Sequence, residues 1–125
     1  VTTTNFTDSA SYSSINLRDY SAEVDLPGQA GIIESDHSAV YYNNMVYVIN
    51  RLGADNITVL DVSDLSTAIA QFSTGNGSNP YDMAFVSDSQ AYVCLYEEND
   101  ILRVDPTAAA GSAAFLTSYH LKSTG

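Results

Sequence analysis

Cysteine is almost missing from this 125-residue chain: Cys94 stands alone. No internal disulfide can form, and neither a disulfide scaffold nor a multi-cysteine zinc site is available. Basic residues are nearly as scarce. Four Lys and Arg face fifteen Asp and Glu, a formal net charge of -11. Such an acidic chain repels phosphate backbones and anionic membrane surfaces, which removes nucleic acid from the expected partners. No apolar run approaches the ~18 to 20 residues that span a bilayer as a helix, so no membrane insertion is expected. Catalytic signatures are missing too. There is no nucleophile elbow, no His-Glu-x-x-His and no phosphate-binding glycine loop, since "GNGSNP" is not followed by a helical pattern. The expectation is a noncatalytic chain without a cofactor or a metal site.

Apolar material is abundant: hydrophobic residues make up 45 % of the chain and aromatics 10 %, enough for a folded core rather than a disordered tail. Few lysines with many Ser, Thr, Asn and Tyr suit a secreted or surface protein, so an extracellular or cell-surface location is expected, with the periplasm an alternative. A first residue of Val1 suggests a processed chain or a piece of something longer.

The phrase "MVYVINRLGADNITVLDV" from Met45 returns in altered form as "QAYVCLYEENDILRVDP" from Gln90. Tyr47 and Tyr92 are 45 residues apart, as are Val48 and Val93, and Ala39 and Ala84; Asp61 and Asp105 are 44 apart. A fainter copy opens the chain, with Asn16 in register with Asp61, Asp19 with Asp64, and Tyr12 with Ile57 and Ile101. Each full copy reads as four short apolar runs separated by turn residues, the pattern of antiparallel strands. In the middle copy these are "HSAVYY", "MVYVINR", "NITVLDV" and "TAIAQFS"; in the last, "DMAFVS", "AYVCLY", "DILRVD" and "GSAAFLTS". Asn43-Asn44, the Gly53 loop, Ser63-Asp64 and "TGNGSNP" from Thr74 to Pro80 separate them.

Four strands per repeat of this length, with second strands apolar on both faces, define β-propeller blades. The fold class expected is therefore all-β: residues 1–26 form a partial blade of three strands, 36–75 and 81–118 two full blades, and 119–125 a tail. Eleven strands do not close a ring, which takes about four to eight blades. Three arrangements follow: a piece of a longer propeller, an independent small sheet domain, or self-assembly in which the tail from Ser118, with Tyr119, His120, Leu121 and Lys122, is donated to the incomplete blade of a neighbour. Such exchange gives rings or open filaments.

The stretch "VYVINRLGADNITVLDVSD" followed by "GNGSNPYDMAFVSDSQAYV" resembles the bacterial YVTN-type propellers, whose blades carry a Tyr-Val-x-Asn core strand and a later Val-x-Asp strand end. "YVIN" at Tyr47 to Asn50 and "YVCL" at Tyr92 to Leu95 depart from that pattern. The resemblance implies a fold and a secreted or surface location, with no shared reaction.

Candidate binding residues cluster at strand starts. His37 is in register with Asp82, and with Asp36 and Tyr81 they would form a polar rim for a small ligand or a cation, or else satisfy local backbone groups. Asp55, Asp61, Asp64, Asp100 and Asp105 invite a calcium reading, but the 12-residue calcium loop is absent and turn capping is the preferred role. Glu97-Glu98 read as a solvated turn, and Cys94, in register with Ile49, as a small buried apolar residue. Three short Asn-x-Ser/Thr matches begin at Asn5, Asn56 and Asn76.

Overall fold

A computed structural model describes residues 2–5, 10–27, 32–96, 98–108 and 115–120. Every regular element among them is a strand, and the strands form three antiparallel sheets in chain order. The first sheet holds β1 (Thr2–Thr4), β2 (Ala10–Ile15) and β3 (Ala22–Pro27). The second holds β4 (His37–Tyr42), β5 (Met45–Asn50), β6 (Asn56–Asp61) and β7 (Asp64–Ser73). The third holds β8 (Pro80–Ser87), β9 (Gln90–Leu95), β10 (Asp100–Val104) and β11 (Phe115–His120). The architecture is thus all-β, built of propeller-type blades in an incomplete ring, with eleven strands among the described residues.

Turn chemistry sets the registers. Asn43 and Asn44 both take positive φ (47° and 63°), so the β4–β5 hairpin closes with Tyr42 opposite Met45, the two-residue turn whose twist matches the flanking strands. The aspartates that end or begin strands repeat one device. The carboxylates of Asp19, Asp61, Asp64 and Asp105 each accept from both the backbone N–H and the hydroxyl of the residue two positions on: Ser21, Ser63, Ser66 and Thr107. These are Asx turns that stop one strand and start the next.

The middle sheet is covered on both faces. Strand alternation sends Tyr47, Ile49, Ile57 and Val59 toward the third sheet, where they meet Met83, Ala91, Val93, Leu102 and Val104. The intervening Val48 and Leu60 pack against Ile32 and Ile33 of the preceding linker, with Ala10 and Tyr12 of the first sheet beside them. Two buried faces explain why β5 and β6 lack polar alternation. At ~25 cal/mol per Å² of buried apolar surface, this stacking is the main term holding the sheets together.

Asn50 anchors the linker. It is fully buried, its side-chain carbonyl accepts from the Glu34 N–H (3.0 Å), and its amide donates to the Ile32 carbonyl (3.1 Å) and to Asn56 Oδ1 (2.9 Å). The Thr4 hydroxyl donates to the Ser35 carbonyl, tying the first sheet to the same linker.

Two expectations change. Tyr119 and His120 belong to β11, opposite Ile101 and Asp100 on β10, so their backbone completes the last blade in cis. The fourth strand of the last blade therefore runs past Ser118, through the first two residues expected to lie in the tail. Leu121 and Lys122 lie outside the described residues. Cys94 is only half-buried, because the face of β9 it shares with Tyr92 has no further sheet against it among the described residues, whereas Ile49 is sealed by the third sheet.

Candidate functional site

The ends of β4, β5, β8 and β9 that meet between the second and third sheets gather a charged pair and an aromatic pair. Asp36 precedes β4 and is 7 % exposed; its carboxylate accepts from Arg51 Nη1 at 3.2 Å. The Arg51 guanidinium lies 4.7 Å from the ring centre of Tyr81 and 5.4 Å from that of Tyr96, and the two rings stack at 5.9 Å. Tyr81 and Tyr96 remain about half exposed. A guanidinium so placed interacts with the ring faces as well as with its carboxylate.

The repeat builds this cluster. Asp36 and Tyr81 are 45 residues apart, and so are Arg51 and Tyr96. One pair of equivalent positions therefore carries the ion pair in the middle blade and the stacked tyrosines in the last. The close approach of β4 to β8 brings them together, with the Ser38 hydroxyl donating to the Tyr81 carbonyl at 3.0 Å.

Beside the pair is an open polar hollow of about 640 Å³, lined by Glu34, Asp36, Arg51 and the turn Leu52 to Ala54. Ala54 N–H bonds the Arg51 carbonyl, and the turn holds Leu52 at φ 40° with its side chain 70 % exposed. A bulky non-glycine residue in the left-handed region is an uncommon, costly conformation.

The four rim residues meet different fates. Asp36 and Tyr81 are joined through Arg51. His37 is buried, with Nδ1 2.8 Å from the Glu34 carbonyl, and its Nε2 is buried with no hydrogen-bond partner among the described residues. Asp82 is exposed and turns to its own strand, where its carboxylate accepts from the Met83 N–H at 2.8 Å. Sequence reading missed Arg51 and Tyr96. The signal was available in the 45-residue offset together with the scarcity of basic residues.

Of the aspartates of the calcium reading, Asp61, Asp64 and Asp105 form turns, and Asp100 opens β10. Hydrogen bonds from Ser63, Ser66 and Thr107 to Asp61, Asp64 and Asp105 hold those carboxyls below the ordinary carboxylate range. Asp55 is buried and accepts from the Gly77 N–H (2.7 Å) and the Asn79 N–H (2.9 Å), pinning the loop between the second and third sheets. Among the described residues no three His, Cys, Asp or Glu gather as a metal site requires. Glu97 lies outside the described residues, and Glu98 is exposed.

Fold and cluster together define an all-β chain of propeller-type blades with a charged and aromatic rim between two of them. No protein-family model and no curated protein matches the sequence.

Proposed function

We propose that the chain is a noncatalytic binding or scaffolding module of a YVTN-like β-propeller, working outside the cell or at its surface. The observation that carries the reading is the Asp36, Arg51, Tyr81 and Tyr96 cluster. It joins an ion pair that lines a polar hollow to two half-exposed tyrosine rings packed on its guanidinium, a combination suited to a small polar ligand or a polar segment of a protein. The test is thermal stabilisation by a panel of small sugars, amino acids and carboxylates. Saturable stabilisation that is lost in Tyr81→Ala and Arg51→Ala, both still folded by circular dichroism, supports it. Stabilisation indifferent to both variants, or none across the panel, overturns it.

A second reading, self-assembly into rings or filaments, is favoured by a specific observation. Among the described residues β1 pairs only with β2, while its counterparts β5 and β9 each pair on both sides. The edge of β1 along which no described strand pairs would suit a strand from the remaining blades of a longer parent or from another copy. Mass in solution and electron microscopy, with and without residues 121–125, decide that reading.

A further inference from the structure

At the opposite end of the second and third sheets, away from the Arg51 cluster, the hairpin turns Asn43-Asn44 and Asp88-Ser89 flank a second cavity of about 430 Å³. Its walls include Tyr42, Tyr47, Ile69, Ala70 and Pro106; among the described residues of its lining Asp88 is the one acidic group and there is no basic side chain. The Asp88 carboxylate accepts from Asn43 Nδ2 at 3.2 Å, which fixes the carboxylate at the mouth while leaving lone pairs free. Tyr42 is stacked on Phe85 at 4.2 Å, and Tyr47 packs on the same ring at 4.7 Å. The walls are therefore rigid, and their aromatic faces are fixed.

We propose that this cavity binds a small organic ammonium ion with an apolar body, the ammonium on Asp88 and the body between Tyr42, Tyr47, Ile69 and Ala70. Three features select that chemistry. A cavity this large accepts a small organic molecule. One carboxylate with no basic neighbour favours a cation, and the -11 net charge raises the local concentration of any cation. A bare divalent ion is not matched, because calcium takes six to eight oxygens and magnesium a near-ideal octahedron, whereas tyrosine faces attract an alkylammonium. Burial, with the hydrogen bond and charge of Asp88 adding to it, holds the Tyr42 phenol above its ordinary range; burial and then the Asp88 charge do the same to Tyr47. Both phenols stay neutral, so the negative charge of the pocket sits on Asp88 alone.

The probes are phenethylammonium, the neutral 2-phenylethanol and the anionic 3-phenylpropionate, measured by calorimetry and by amide chemical shifts on the intact chain. Phenethylammonium is expected to bind saturably, shifting amides of residues 42–47 and 88, with affinity falling about tenfold in Asp88→Asn, the factor lost with one charge-assisted contact. The alcohol should bind about as weakly as phenethylammonium binds the variant, and the acid not at all. Ala70→Leu, which fills the cavity from its wall and leaves the turn untouched, should abolish binding in a folded protein. Equal affinity for amine and alcohol, undiminished affinity in Asp88→Asn, saturable binding in Ala70→Leu, or no saturable binding of the amine overturns the proposal.

Discussion

Asp55 offers the most direct test of how the blades are joined. Its carboxylate is 4 % exposed and receives two backbone N–H groups from the loop that connects the second and third sheets, Gly77 at 2.7 Å and Asn79 at 2.9 Å. Its own carbonyl accepts from the Thr74 N–H at 2.8 Å. The residue also sits at φ 47°, a conformation Asn tolerates and Ala does not favour. Hydrogen bonds to a charged group contribute about 1.5 to 3 kcal/mol each. Gly77 is exposed and its amide regains water after truncation, while Asn79 is half-buried and its amide regains less. Asp55→Ala should therefore cost about 3 to 5 kcal/mol, near 2 to 3 from the lost acceptors and ~1 to 2 from the left-handed backbone.

Asp55→Asn keeps the backbone conformation and one acceptor oxygen, so it should cost only about 1 to 2 kcal/mol. Urea unfolding reads the difference directly. With a slope of about 2 kcal/mol per molar, the midpoint falls by roughly 1.5 to 2.5 M for Ala and about 0.5 to 1 M for Asn. Amide exchange at Gly77 and Asn79 should accelerate in both, while the Thr74 amide, bonded to the unchanged carbonyl, should hold its protection in Asn. Identical midpoints for the two variants, or losses within about 0.5 kcal/mol of the parent, would refute the assignment of the loop to this carboxylate.

Two further outcomes follow from the same geometry. Ile57 is fully buried against the third sheet, whereas its counterpart Ile101 is half-buried on a face of that sheet that no further sheet covers among the described residues, so Ile57→Ala should cost about 2 to 5 kcal/mol and Ile101→Ala about 1 to 2 in urea unfolding; equal costs would mean the outer face is covered. Folding holds the carboxyls of Asp19, Asp61, Asp64 and Asp105 below the ordinary 3.8, chiefly through the hydroxyls of Ser21, Ser63, Ser66 and Thr107, so their contribution is complete above pH 3.8 and is lost as pH falls through the lowered values. Stability followed by circular dichroism should decline over that acid window, and Asp61→Asn with Asp105→Asn should flatten the decline.

The blade pattern was legible because it is repeated. The second and third strands of the middle and last copies fill the space between their sheets, so both carry the same apolar spacing around Tyr47 and Tyr92. Strand ends were less legible for a local reason. The run "DPTAAAGSAAF" offers no polar stop, and β11 extends to His120 because its partner β10 runs back to Asp100. The rim was half legible. Asp36 and Tyr81 stand at strand starts that turn chemistry marks, but the guanidinium that joins them sits at the far end of β5, in a position apparent only once β4 and β8 are known to lie side by side.

The same logic accounts for the way the middle and last copies depart from each other. Asn50, the asparagine of "YVIN", holds the linker that enters its own blade through Ile32 and Glu34. Its counterpart Leu95 has no amide to offer, and the equivalent linker is held from the other side, by Asp55 of the preceding blade on Gly77 and Asn79. The backbone groups of a linker packed between blades need partners, but nothing in that requirement specifies which blade supplies them. With Asp55 holding that linker, position 95 carries the apolar Leu95, and the neighbouring Tyr96 is exposed and stacks on Tyr81 beside Arg51. The rim thus occupies strand ends at which the two copies differ, Asp36 against Tyr81 and Arg51 against Tyr96, while the strands between them share the apolar positions that packing requires.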